Sequence, residues 1–269
     1  MAIVIPAVRE AALFPELDLP EPPEGHPYVV RKADGYRVGF IRGNSYAGVW
    51  VRRLPEDALA ACVGEVRELL AREGFARAAW FVSEAAEPLG VAGLLREQGL
   101  VPWGAEEPGL EPRFQQMALV AEPPPAPAGA LARPVETAEE YTAAARVAHE
   151  AFDVSEHDRR VFEERQAEHW AWEQRYPDFT TFAAFFDGEL VGSAGVIFGA
   201  HAAFMVGGSV REDRRGHGAY RALVRARWDA AVERGTPALT VSAGAMSGPI
   251  LERLGFLTVG WSDVLADRF

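Results

Sequence analysis

Arg215-Gly216-His217-Gly218 sits between two segments of different periodicity, and these residue types at this spacing can hold a phosphate. Ahead of it runs an apolar stretch, Phe204-Met205-Val206-Gly207-Gly208-Ser209-Val210. Behind it, Leu223, Val224, Trp228 and Ala231 recur on one face of a helical pattern. The spacing predicts strand, tight turn and helix N-terminus. The unpaired N–H groups of a first helical turn lie at the positive end of the helix dipole and donate to an anion. Gly216 and Gly218 leave out the Cβ atoms that would keep a pyrophosphate at a distance. Arg215 adds a forked, permanently charged donor. A plain strand–helix connection, with glycine used only for turning, fits the same residues.

The sequence downstream narrows the choice. Ala238 to Ser242 (A-L-T-V-S) forms a short β-like run, and Ser247 to Phe256 reads S-G-P-I-L-E-R-L-G-F. The ordered pair R-G-x-G-x-Y-R-A-L and I-L-E-R-L-G-F resembles motifs A and B of the GCN5-related N-acetyltransferases, over residues 131–265. The resemblance implies an α/β (α+β) acyl-CoA N-acyltransferase fold, a mixed central sheet flanked by helices. It implies acetyl-CoA as co-substrate, with Ser209 and Val210 presenting backbone groups to the pantetheine arm in a gap between splayed strands. It also implies that Arg215, Gly216, His217, Gly218, Ala219 and Tyr220 wrap the pyrophosphate. Arg221 and Arg225 on the next helix could reach the 3′-phosphate or stay solvated.

The chain departs from the family pattern in three places. Tyr220 stands where a small residue closes the phosphate turn, Gly244 where an Asn is common, and Leu251 where a Tyr often acts as general acid. Leu251 cannot donate a proton, so Ser242 or Ser247, and more remotely Tyr220, become candidates for that role. For the base that takes the amine proton, Glu150 and His149 near the end of a predicted helix are the candidates. His217, at the variable position of the turn, is expected to face solvent. No metal site is expected: His149, His157 and His169 do not fall at i, i+4 spacing, and the chain has one cysteine.

The elements that must position these residues are readable. A strand near Leu131–Pro134 precedes Thr137-Ala138-Glu139-Glu140, a capping box opening a helix through Ala151. A second, acidic helix is expected over Glu156–Arg175. Asp187-Gly188 marks a two-residue hairpin turn. The first half echoes the second. Leu94–Leu100 parallels Ile250–Phe256, and Arg72-Glu73-Gly74 parallels Glu233-Arg234-Gly235. At the place of the phosphate turn the first half has Val51-Arg52-Arg53-Leu54-Pro55-Glu56-Asp57, acidic and without glycine. The expected organisation is therefore two tandem copies. Residues 1–120 form a degenerate repeat, 121–130 (A-E-P-P-P-A-P-A-G-A) a semi-rigid linker, and 131–269 the acetyltransferase domain. Chance likeness of short amphipathic segments competes with the repeat. Residues 15–27 are expected to be irregular, on the surface or against a neighbour.

Composition sets outer bounds. The chain has 269 residues, a formal net charge of −12 and 49% hydrophobic residues, enough for two cores. The single Cys62 excludes an intramolecular disulfide and makes a reducing cytoplasm the default; its setting is that of a small buried hydrophobe. No apolar run is long enough to span a bilayer, and the first ten residues lack the pattern of a signal peptide. Net acidity argues against a nucleic-acid partner. Residues 211–234 carry seven Arg against four acids, and residues 136–178 five Arg against twelve acids. That polarity suits an anionic donor and a cationic acceptor, a small-molecule or peptide amine. The aromatics of His169–Tyr176 could shape an acceptor pocket or pack against the other half. Two other readings share the fold: an inactive acyl-CoA-binding or partner-binding module, and a tRNA-dependent aminoacyltransferase. These patterns admit a homodimer.

Overall fold

A computed structural model describes residues 4–104 and 110–269. The N-terminal half opens with two short helices, α1 (Pro6–Leu13) and α2 (Pro15–Asp18). Strands β1 (Tyr28–Ala33), β2 (Tyr36–Ile41) and β3 (Ala47–Arg53) lead to helix α3 (Leu59–Arg72) and strand β4 (Arg77–Glu87). Helix α4 (Val91–Glu97), the two-residue β5 (Val101–Pro102) and β6 (Arg113–Leu119) complete it. The C-terminal half runs from β7 (Ala130–Pro134) through helices α5 (Ala138–Ala151), α6 (Glu156–Glu164) and α7 (Gln166–Glu173). Strands β8 (Phe179–Phe186), β9 (Glu189–Phe198) and β10 (Ala203–Val210) then lead to α8 (Ala219–Glu233). Strand β11 (Leu239–Ala243), helix α9 (Gly248–Arg253) and strand β12 (Leu257–Arg268) end the chain.

Local chemistry accounts for most of these boundaries. Thr137 Oγ1 accepts the Glu140 N–H at 3.2 Å, so the expected cap opens α5. Asp187 (φ 49°) and Gly188 (φ 83°) both take the left-handed conformation that a two-residue hairpin turn requires. The acidic helix expected over Glu156–Arg175 is instead two helices, broken at Arg165 (φ −114°, ψ 10°). Phe162 of α6 and Trp170 of α7 both pack on the ring of Tyr141, at centroid distances of 6.0 and 5.6 Å. Residues 15–18, expected to be irregular, are helical, and the segment that follows runs between the halves. Leu19 is buried, Tyr176 OH donates to Pro20 O at 3.3 Å, and the His26 ring lies 5.3 Å from that of Tyr176.

The two halves share one plan. In each, three antiparallel strands (β1–β2–β3 and β8–β9–β10) are followed by a helix and a strand parallel to the third. The helix ends match in detail. Gly74 (φ 89°) and Gly235 (φ 78°) close α3 and α8, and Gly99 (φ 93°) and Gly255 (φ 97°) close α4 and α9. Each is followed by the same 6→1 bond: Phe75 N–H to Leu70 O, Thr236 to Ala231, Leu100 to Leu95 and Phe256 to Leu251, at 2.9–3.3 Å. One core packs α3 and α4 on β2–β4, and another packs α8 and α9 on β8–β11.

The halves are not separate in space. All strands form one 12-stranded sheet, in the order β1-β2-β3-β4-β12-β6-β11-β10-β9-β8-β7, with β5 beside β12. Strand β6 of the first half pairs with β11 of the second from Gln115 to Leu119. In return β12 pairs with β4 from Ser262 to Arg268. The last strands are exchanged, and Asp267, 1% exposed, anchors the exchange on Arg67 of α3 at 2.7 Å. The boundary at 121–130 therefore divides the chain but not the sheet. A protease site inserted between Pro125 and Ala126 tests this interlock. After cleavage the two fragments are expected to co-elute on gel filtration without denaturant and to separate only in urea.

Candidate active site

Strands β10 and β11 pair only at Ala203–Leu239 and Phe204–Thr240, then diverge. Beyond Phe204 no strand among the described residues pairs with that edge of β10. A bulge lies at the divergence: Val206 faces Gly195 and Gly208 faces Ala194, so Gly207 is the extra residue, at φ 42°. Glycine suits it because that positive φ strains any residue with a Cβ; the Phe152 ring, 3.5 Å from the ideal Cβ position, lies at ordinary contact distance. The equivalent strands of the first half stay together. Strands β3 and β4 pair without interruption from Ala47–Ala78 to Val51–Val82, so no gap opens there.

Gly216 (φ 83°) and Gly218 (φ 89°) shape the turn after β10. Arg215, Gly216 and His217 are exposed, and Gly216 has open space where a Cβ would point. Gly218 is the N-cap of α8, with no side chain bonded to the first-turn amides, which leaves those donors for an anion. Arg215 Nε donates to Val210 O at 3.3 Å. His217 packs its ring 5.2 Å from that of Phe186. The linker folds over the outer side of this turn. Pro127 covers Gly218 where a Cβ would collide, and Glu122 pairs with Arg225 at 2.6 Å. Arg225 is also held by Asp229 at 2.9 Å.

The three departures from the family pattern have structural reasons. Tyr220 lies over Gly208, 2.8 Å from the ideal Cβ position, and bonds the fully buried Arg227. Burial lowers the Arg227 guanidinium to about 10, and its Nε donates to Leu223 O at 3.0 Å. Gly244 has no room for a side chain, since the Glu111 carboxylate fills that position and accepts the Ala245 N–H at 2.8 Å. Leu251 is fully buried in the core.

Two adjoining chambers open against the bulge. The inner one, about 270 Å³, is lined by Val206 and Gly207 of β10, Ser242 of β11, Gln116 of β6 and Glu16 of α2. The outer one, about 410 Å³, is lined by Tyr28, Tyr46, Phe152 and the 153–155 loop. Trp50 and Phe81, stacked at 5.1 Å with an interplanar angle of 6°, stand in the walls of both. The cleft thus lies between the halves. The outer wall is clasped by Asp158, which accepts from Ser45 N–H (2.9 Å), Ser45 Oγ (2.8 Å) and Ser155 Oγ (2.7 Å).

Glu16 is the acid that sequence reasoning missed. As a residue it is partly exposed, but protein encloses its carboxyl, and burial raises its pKa from 4.5 to about 7 against the opposing pull of Arg37 and a hydrogen bond with Tyr28. Arg37, 1% exposed, fixes the segment by donating to the carbonyls of Glu16 and Leu19. Of the residues singled out from sequence, Ser242 lies in the cleft, with its Oγ 2.9 Å from Gln116 Oε1. Glu150 is exposed and His149 packs edge-on against Phe162 at 4.9 Å; neither lines a chamber. Burial, with Arg159 nearby, lowers the His149 pKa. Ser247 Oγ accepts the Gly244 N–H at 3.0 Å. The His169–Tyr176 aromatics pack on Tyr141 and His26 instead of lining either chamber. Cys62 is half-buried, and burial raises its thiol pKa. Among the described residues no group of three or more His, Cys, Asp or Glu could hold a metal ion, and no helix is long and apolar enough to cross a membrane.

Residues 142–256 match the acetyltransferase (GNAT) family. Among solved structures, a GCN5-related N-acetyltransferase from Kribbella flavida superposes with a TM-score of 0.72 at 18% identity, covering 98% of this chain and 96% of that one. A tandem GNAT protein from the clavulanic acid biosynthesis pathway gives 0.60 at 18% identity, over 100% and 89%. A GCN5-related N-acetyltransferase from Sphaerobacter thermophilus gives 0.59 at 16% identity, over 91% and 82%. These likenesses establish the fold. No curated protein matches the chain.

The raised pKa of Glu16 has a consequence for stability. Between about 4.5 and about 7 the folded chain keeps a proton that the unfolded chain has released, so this group's contribution falls as pH rises through that window. Glu16→Gln removes the effect. Its melting temperature is expected to exceed that of the parent chain by several degrees at pH 8 and to differ little at pH 4.5, as calorimetry at the two pH values would measure.

Proposed function

We propose that this chain, whose residues 142–256 form a domain of the acetyltransferase (GNAT) family, transfers an acetyl group from acetyl-CoA to a primary amine. The observation that carries the reading is the divergence of β10 from β11 beside an uncapped helix N-terminus. A pyrophosphate fits the exposed turn at Arg215–Tyr220, where first-turn amides and the Arg215 guanidinium supply donors. The unpaired edge of β10 at Ser209–Val210 can accept the amides of a pantetheine arm as an added strand. The bulge at Gly207 frees backbone groups from the ladder at the head of the gap, where the thioester would lie. The first half lacks the unpaired strand edge and the glycine turn and serves as the other wall of the cleft.

Transfer proceeds by direct attack. The neutral amine nitrogen adds to the thioester carbonyl carbon, the C–N bond forms, and the C–S bond breaks with release of the coenzyme thiolate. The amine's remaining excess proton ends on that sulfur. With Leu251 in the core, no side chain replaces the usual tyrosine directly; Ser242, beside the gap, is the hydroxyl nearest to such a role. A thiolate leaves readily enough that positioning supplies most of the rate.

Calorimetry with acetyl-CoA tests the reading. Micromolar binding is expected, weakened about ten-fold, or about 1.4 kcal/mol, in Arg215→Ala. No heat at millimolar acetyl-CoA would leave the fold as a partner-binding module.

A further inference from the structure

We propose that the two chambers between the halves are the acceptor site and select a primary amine carried on an uncharged aromatic or aliphatic body, with Glu16 taking the ammonium proton. The inference rests on the acyl-transfer reading above. Glu16 is the one ionisable side chain in the wall of the inner chamber among the described residues. A cation entering there meets one carboxylate, and an anion meets no counter-charge. Gly207 lines the same chamber, which sets Glu16 and the bulge around one cavity.

The outer chamber takes the body. Its faces are Trp50, Phe81, Tyr28, Tyr46 and Phe152. Three charged side chains also line it: Asp153, which is exposed, and Asp158 and Arg77, which are held by the protein. Asp158 is saturated by Ser45 and Ser155, and Arg77 donates to Ser45 O at 2.8 Å with its guanidinium 6.0 Å from the Tyr46 ring. A sugar phosphate would leave its charge unpaired against aromatic rings, and a lysine side chain on a polar peptide would bury unsatisfied amides. An aryl or alkyl group stacks there at no such cost. The chambers, about 270 and 410 Å³, together match ordinary small-molecule sites.

The proton balance closes. The Glu16 carboxylate takes one proton from R–NH₃⁺, the neutral amine attacks, and the second proton leaves nitrogen for the departing thiolate. Glu16 then returns its proton to solvent. Burial raises the Glu16 carboxyl against Arg37 of β2 and Tyr28 of β1, which both lower it, and Tyr176 after α7 lies close enough to feel its charge. A base poised near neutrality suits an amine acceptor.

The test uses the full chain with acetyl-CoA and three acceptors: 2-phenylethylamine, glucosamine 6-phosphate and an N-acetylated lysine peptide. Thiol release is expected with a kcat/KM about 100-fold higher for 2-phenylethylamine than for the other two. Glu16→Gln is expected to lower that value about 100-fold at pH 7 and to remove the rising limb of its pH profile, with acetyl-CoA affinity unchanged. Trp50→Leu is expected to raise KM about ten-fold with kcat little changed, and Trp50→Phe to restore it. Preference for the phosphosugar or the peptide, or an unaltered pH profile in Glu16→Gln, overturns the proposal while leaving acyl transfer intact. If acetyl-CoA does not bind, acyl transfer fails, and direct calorimetry with 2-phenylethylamine still decides the cleft. Binding lost in Trp50→Leu supports it, and no binding at millimolar amine overturns it.

Discussion

Two parallel strands that begin side by side and then part set the terms for everything around them. Past Phe204 and Thr240, β10 is held by β9 and β11 by β6, so each strand keeps one partner while the space between them opens. A sheet pulled apart this way would expose unpaired amides at a cost unless a ligand or solvent met them. The bulge at Gly207, the glycine turn and the uncapped start of α8 all border the opening. In the first half the same topology stays zipped through Val51–Val82, and the corresponding turn is acidic and proline-bearing. One plan thus gives an open strand edge in one copy and a paired one in the other.

The legible parts of this protein were those fixed by local backbone demands. A glycine with positive φ cannot be replaced cheaply, so the turn at 216–218, the hairpin at 187–188 and the four helix-ending glycines left their marks in order along the chain. Thr137 could be read as a cap because the bond it makes spans three residues. The acid in the cleft could not. Glu16 acquires its setting from Arg37, Tyr28 and a bulge nearly two hundred residues away, and its neighbours Pro15 and Leu17 read as an irregular, Pro-rich stretch. Glu150 and His149 were candidates for standing near the end of a helix, yet neither lines a chamber. The break at Arg165 was hidden as well, because it falls at neither a proline nor a glycine.

The departures from the family pattern read as mutually adjusted substitutions. Tyr220 replaces a small residue, and Gly208 beneath it has no side chain to obstruct the ring. Gly244 replaces a polar residue, and Glu111 from the first half supplies the acceptor for the Ala245 amide in its place. At the second position a carboxylate from the first half occupies the space beside Gly244. The linker takes part as well: Pro127 packs over Gly218 of the glycine turn and Glu122 pairs with Arg225 of α8.

The exchange of β6 and β12 makes the fold depend on distant pairings. Strand β4 finds its β3 edge among near neighbours in the chain, but its other edge pairs with residues 262–268. Until that pairing forms, the folding chain carries a bare strand edge beside its first core, and closing it spans nearly two hundred residues. Contacts of such high order are slow to form, and a bare edge accepts a strand from any chain that offers one. At high expression the same pairing made between two molecules, the β12 of each completing the other, is the natural competing outcome, and a dilute, unhurried chain is the one that closes on itself.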